Sequence, residues 1–205
     1  YWLPQGGRAC VWLAEIVDKQ YNGCLRQEIF RWTEETDSMT RNNAREIAVH
    51  MAFSLSFAGR SADEVLEGEL NRERFAALGQ ETSLYAQYPN EKQREYISTL
   101  VKGIYEHREE LDGYIRSYAV GWALERIPRM ARAILRTAMY EVLYMADVPN
   151  ASAIDAAVEL TKKYEPQEVA AFVNGILGSF VRNEVSGDTE AEPAAIPTDS
   201  SEEEA

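Results

Sequence analysis

The apolar positions along the chain recur at three- and four-residue spacing, the signature of amphipathic helices rather than strands. Ala44, Ile47, Ala48, Met51, Ala52 and Leu55 put one face on a helix over residues 40–59. Ser61-Ala62-Asp63-Glu64 has the form of a capping box and opens a helix over 62–70. Residues 71–90 are the least patterned stretch, with a short helix near 73–78 and a loop at 85–89. Asn90 caps the next helix, whose face is Tyr96, Leu100, Val101, Ile104 and Leu111. Leu111-Asp112-Gly113 ends or bends it, and a short helix continues over 114–118 and 120–122. Gly103 and Gly175, both inside helical patterns, predict close helix approach, with Asn174 tying down a neighbouring loop.

The segment 125–181 organises the rest. Pro128 suits a first helical turn, because its missing N–H removes no bond there. Ile134, Leu135, Ala138, Met139, Val142 and Leu143 follow as one stripe, stopped by Asp147-Val148-Pro149. Ile154, Ala157, Val158, Thr161 and Tyr164 mark a second helix. Pro166 opens a third, faced by Val169, Phe172, Val173, Ile176, Leu177, Phe180 and Val181. Each is apolar on one side only, so each depends on its neighbours for stability. The expectation is an all-α protein of about seven helices in two packed bundles.

Composition changes this picture little, but charge does. The net charge is −13, and Glu184, Asp188, Glu190, Glu192, Asp199, Glu202, Glu203 and Glu204 lie together at the end without a Lys or Arg among them. Residues 184–205 therefore read as a disordered acidic tail. The remainder is still acidic, which argues against strong autonomous nucleic-acid binding, where basic charge supplies most of the affinity. One local exception is the series Arg126, Arg129, Arg132 and Arg136, which helical geometry places on one side. It reads either as a solvated face or as an anion-facing strip. Tyr118, beside Arg116, is a candidate for stacking on single-stranded RNA, with core packing the other reading; Trp122 reads as a core anchor.

No chemistry of an enzyme is present in the pattern. There is no Gly-rich phosphate loop, no Gly-x-Ser-x-Gly elbow and no Cys/His constellation. Cys10 and Cys24 lack a second ligand pair, and His50 and His107 stand far apart, so neither metal nor cofactor is expected. No apolar run approaches membrane-spanning length and the start lacks a signal pattern, which predicts a cytoplasmic protein. Residues 1–38 hold both cysteines and three of the four tryptophans. The composition shift marks them as an extension outside the native protein, with Met39 its start; the other reading is an extra helix lying on the bundle.

Four blocks resemble one family in order and spacing. They are Leu135-Arg136-Thr137-Ala138-Met139-Tyr140-Glu141, Asp147-Val148-Pro149, Ala153-Ile154-Asp155 with Val158-Glu159-Leu160, and Phe172-Val173-Asn174-Gly175-Ile176-Leu177. Together they resemble the C-terminal half of the NusB family of bacterial transcription antitermination factors, and the resemblance extends over 39–183. It implies an RNA-binding domain of two helical bundles. It also implies that the helix entry Arg41, Asn42, Asn43 and Arg45 contacts RNA, although Asn42 and Asn43 replace more basic residues. Arg132 and Arg136 are further RNA candidates, and Phe53 is the candidate for the face that meets NusE, a small-subunit ribosomal protein. Against this family, 71–90 is longer than usual and reads as an insertion.

The implied function is binding of boxA-type single-stranded RNA together with NusE, in a complex with NusA, NusG and RNA polymerase that promotes ribosomal RNA transcription. The resemblance leaves monomer and homodimer open. Two rivals remain: a helical protein-binding adaptor without RNA contact, and the detached NusB-like half of an RNA 5-methylcytosine methyltransferase.

Overall fold

A computed structural model describes residues 39–57 and 59–185. The expected extension 1–38 and the acidic tail beyond Val185 lie outside the described residues. Within them the protein is all-α. Eight α-helices run α1 (Arg41–Ser54), α2 (Ala62–Glu69), α3 (Arg72–Leu78), α4 (Glu91–Glu106), α5 (Arg108–Tyr118), α6 (Arg129–Tyr144), α7 (Asn150–Tyr164) and α8 (Gln167–Phe180). Short 3₁₀ turns fall at Ser83–Tyr85 and Leu124–Arg126, and a π turn at Val181–Val185 follows α8. None of these helices is long and apolar enough to cross a membrane. The chain divides into two units, Tyr1–Arg108 and Glu109–Ala205.

In the first unit α1 packs on α4 and α2, and α2 on α4. The predicted stripe of α1 is buried from Ala44 to Leu55, and Ile97, Leu100, Val101 and Ile104 of α4 complete the core. Both expected caps form. Ser61 Oγ accepts from the Glu64 amide while the Glu64 carboxylate accepts from the Ser61 amide. Asn90 and Gln93 exchange the same pair of bonds. Each satisfies donors that the first helical turn leaves unpaired.

The stretch 71–90 is better anchored than its sequence suggests. Phe75 is buried, with the rings of Tyr85 and Tyr88 edge-on to it at 5.1 and 5.2 Å. Tyr88 Oη donates to the Leu70 carbonyl, and Tyr85 Oη shares a 2.7 Å hydrogen bond with His50 Nδ1 on α1. Such an aromatic cluster has no period, so sequence pattern does not reveal it.

Burial, with smaller contributions from the Glu69 and Glu46 carboxylates, pushes the Tyr85 phenol up to about 12 from 10.0. The folded state therefore holds this proton more tightly than the unfolded chain does. The corresponding stability is present below pH 10 and is lost as pH rises toward 12. Tyr85→Phe is expected to flatten the fall in stability across that window, measured by urea unfolding at stepped alkaline pH. An unchanged slope would contradict it.

In the second unit α6 packs against α7 and α8, and α7 against α8. Helix α5 joins through Tyr114, whose ring meets Phe180 of α8 edge-on at 5.1 Å. The expected one-sided burial fails for α6. Ala131 and every residue from Ala133 to Glu141 are buried, because helices cover it from more than one side. The break between helices falls at His107, not at Leu111-Asp112-Gly113, which sit inside α5. The predicted helix over 120–122 is instead a turn. Helix α5 ends at Tyr118 and the chain turns through Gly121, whose φ of 80° is left-handed and suits glycine. Pro128 caps α6 rather than lying within it. Gly175 and Asn174 are exposed, and nothing lies within 4 Å of the Cβ position of Gly175, so this glycine marks no close helix approach.

Candidate nucleic-acid interface

The expected RNA residues divide between the two units. In the first, Thr40 caps α1, its Oγ1 accepting from the Asn43 amide at 3.1 Å. The first turn thus opens with Arg41 and Asn42 exposed and Asn43 half-buried. The Arg41 guanidinium lies 5.1 Å from the centre of the Tyr96 ring on α4, a cation–π contact that holds the charge in place at the surface. Arg45 departs from the expectation of an outward cation or a surface salt bridge. It is 2 % exposed, because α1 is packed by both α2 and α4. Its Nη1 donates to Asn42 Oδ1 at 2.7 Å. With that oxygen engaged, Asn42 has its amide N–H donors left for an acceptor such as a phosphate or a base edge.

The arginine series of the second unit comes apart. Arg126 and Arg129 are exposed. Arg132 is half-buried, and its Nε is closed off without a hydrogen-bond partner among the described residues. Burial, then repulsion from Arg136, pulls Arg132 below its ordinary pKa. Arg136 is not on an anion-facing strip. It is 4 % exposed and makes a two-pronged pair with Asp112 on α5, Nε to Oδ1 at 2.7 Å and Nη2 to Oδ2 at 2.9 Å. The fork-to-fork geometry satisfies both groups in a site shut off from water. The sequence signal for it was Arg136, a charge set within the largely apolar run 133–139.

Tyr118 is half-buried, its ring edge-on to Phe180 at 6.0 Å. Its hydroxyl donates to the Glu184 carboxylate, and that bond is the main reason its pKa is raised. The bond ties α5 to the turn after α8. The aromatic surface lies nearby in sequence, where core packing was expected. Trp122 is 52 % exposed and leans on the half-buried Phe172 of α8, ring centres 5.4 Å apart. Val120, across Gly121, is 87 % exposed. Phe53 is half-buried and meets Phe57, itself 46 % exposed, edge-on at 5.3 Å. That places an aromatic pair at the end of α1.

Among the described residues no group of three His, Cys, Asp or Glu side chains is arranged to hold a metal ion. Among the described residues the fold is all-helical and divides into two units. The sequence profile of the NusB family matches residues 42–182. The chain belongs to the NusB family, which comprises transcription antitermination proteins rather than enzymes.

It is 40 % identical over 144 residues to the transcription antitermination protein NusB of Symbiobacterium thermophilum, covering 70 % of this chain and 90 % of that protein. Its identity to the corresponding protein of Acetivibrio thermocellus is 39 % over 145 residues, again covering 70 % and 90 %. The structure of T. maritima NusB superposes with a TM-score of 0.60 at 27 % identity, over 71 % of this chain and 92 % of that one. The solution structure of NusB from Aquifex aeolicus gives 0.53 at 25 % identity, over 75 % and 95 %.

Proposed function

We propose that this protein is a cytoplasmic antitermination factor that binds boxA-type single-stranded RNA together with NusE and so promotes ribosomal RNA transcription. NusA, NusG and RNA polymerase complete the assembly. The observation that carries the reading is the first turn of α1, where Arg41, Asn42 and Asn43 form a small donor-rich surface with Asn42 oriented by buried Arg45. Arg126, Arg129 and Arg132 on the second unit supply further positive charge, and the Trp122–Phe172 pair supplies a surface on which bases stack. Phe53 and Phe57 form the face proposed for NusE.

With so few outward cations, the chain alone binds RNA weakly, and a basic partner raises the affinity. Salt-titrated binding of boxA RNA, with and without NusE, tests this. Each phosphate neutralised steepens the slope of log K against log salt by about 0.7 for a single strand. A shallow slope for the chain alone and a steeper one with NusE are expected.

The interior placement of Arg45 and Arg136 favours one rival, a protein-binding adaptor that makes no RNA contact. RNA affinity that NusE does not raise would count against the antitermination reading, and no RNA binding with or without NusE, alongside intact NusE binding, would establish that rival. The oligomeric state, monomer or homodimer, enters the same experiment through sedimentation of the free chain.

A further inference from the structure

On the first unit, α2, the loop carrying Tyr88 and the start of α4 border an open groove of about 640 Å³. Its floor is apolar, made by Leu66, Leu70 and the Tyr88 ring. Tyr88 is held in place by its bond to the Leu70 carbonyl and by its contact with buried Phe75. The floor therefore depends on 71–90, the stretch read above as an insertion.

Three carboxylates stand along the rim: Glu67 on α2, and Glu91 and Glu95 on α4. All three are exposed, and none has an ion pair or side-chain hydrogen bond among the described residues. Other acids of α2 are engaged. Glu69 pairs with Arg60 and Arg74, Asp63 with Lys102, and Glu64 closes the capping box. The one cation of the lining, Arg94, lies 5.8 Å from the Tyr88 ring, with Arg72 at 4.4 Å from the same ring. Both guanidiniums thus sit against the Tyr88 ring, and among the described residues neither forms an ion pair with the three carboxylates, which outnumber the lining's single cation.

An apolar floor under an unpaired acidic rim selects its occupant by charge. Nucleic acid and anionic lipid are repelled, and an open trough suits a chain segment better than an enclosed small molecule. We propose that this groove docks a basic amphipathic segment of a partner protein. Apolar side chains at i, i+3 and i+4 would rest on Leu66, Leu70 and Tyr88, and Lys or Arg side chains would meet Glu67, Glu91 and Glu95. The inference goes beyond the antitermination reading and stands independently of it.

The test uses the full chain and a fluorescein-labelled synthetic peptide of leucine and lysine, with leucines at helical spacing, followed by fluorescence anisotropy. A peptide of the same composition with that spacing scrambled is the companion probe. Glu67→Lys with Glu95→Lys is expected to weaken binding of the patterned peptide by about tenfold or more, since reversed charges repel across an interface. Glu168→Lys with Glu109→Lys, exposed acids of the second unit, makes the same change in net charge and is expected to alter it less than about twofold. Amide shifts in 15N-labelled protein should cluster on α2 and the first turns of α4. Circular dichroism of the variants guards against misfolding, and all four positions are exposed.

Equal weakening by both pairs would show general attraction to an acidic protein and overturn the proposal. So would equal binding of the scrambled peptide, or shifts elsewhere. If the Glu67→Lys, Glu95→Lys pair instead dissociates a dimer in sedimentation, the groove is an interface between copies of the chain and the proposal fails.

Discussion

Asp112→Ala is expected to destabilise the second unit by about 3–5 kcal/mol, because it leaves the Arg136 guanidinium charged and buried without its partner. The geometry gives this size. Arg136 is 4 % and Asp112 7 % exposed, and both bonds between them are under 3 Å. Coulomb attraction in such a site offsets the cost of removing both ions from water only while both are present. In thermal unfolding the change corresponds to a drop of about 6–20 °C for a protein of this size. The double replacement Asp112→Leu with Arg136→Met should recover most of the loss, because it removes both charges and keeps the volume apolar. A single-variant loss under about 1 kcal/mol would mean that water reaches the pair and the interior role is wrong.

The second large effect concerns RNA. Trp122→Ala should weaken boxA RNA binding by the NusE complex by about 1–3 kcal/mol, roughly 5- to 150-fold, the usual worth of an aromatic platform under a base. The indole is 52 % exposed, so its removal should leave the helical signal and melting temperature nearly unchanged. Trp122→Phe should retain much of the affinity, since a ring remains to stack on. If Trp122→Ala binds boxA RNA like the parent while Arg41→Ala does not, the RNA path avoids the Trp122–Phe172 surface. The first turn of α1 would then carry recognition alone.

Much of the fold was legible because helices announce themselves locally. The stripe of α1, the caps at Ser61 and Asn90 and the proline-bounded start of α8 depend on residues close in sequence, and each appears where the pattern placed it. The stripe of α4 holds at Leu100, Val101 and Ile104, while Ile97 joins it and Leu111 falls in α5. What the pattern misjudged was which side of a helix stays wet. α6 was read as one-sided, and its arginines as lying on the free side. Burial almost all round turns Arg136 inward and leaves Arg132 half-covered. Arg45 is taken out of solvent in the same way. Trp122 failed in the opposite direction, since a large aromatic is usually buried and this one follows a glycine turn that carries it outward.

The order of the helices and the caps at Ser61 and Asn90 were encoded in residue spacing. These properties depend on backbone hydrogen bonding and side-chain periodicity within a few turns of chain. The pairing of Asp112 with Arg136, the seating of Asn42 by Arg45, the anchoring of 71–90 through Phe75 and the exposure of Trp122 were decided only when the helices packed. Each turns on which faces meet and how many neighbours a helix has, and a one-dimensional pattern does not carry that number.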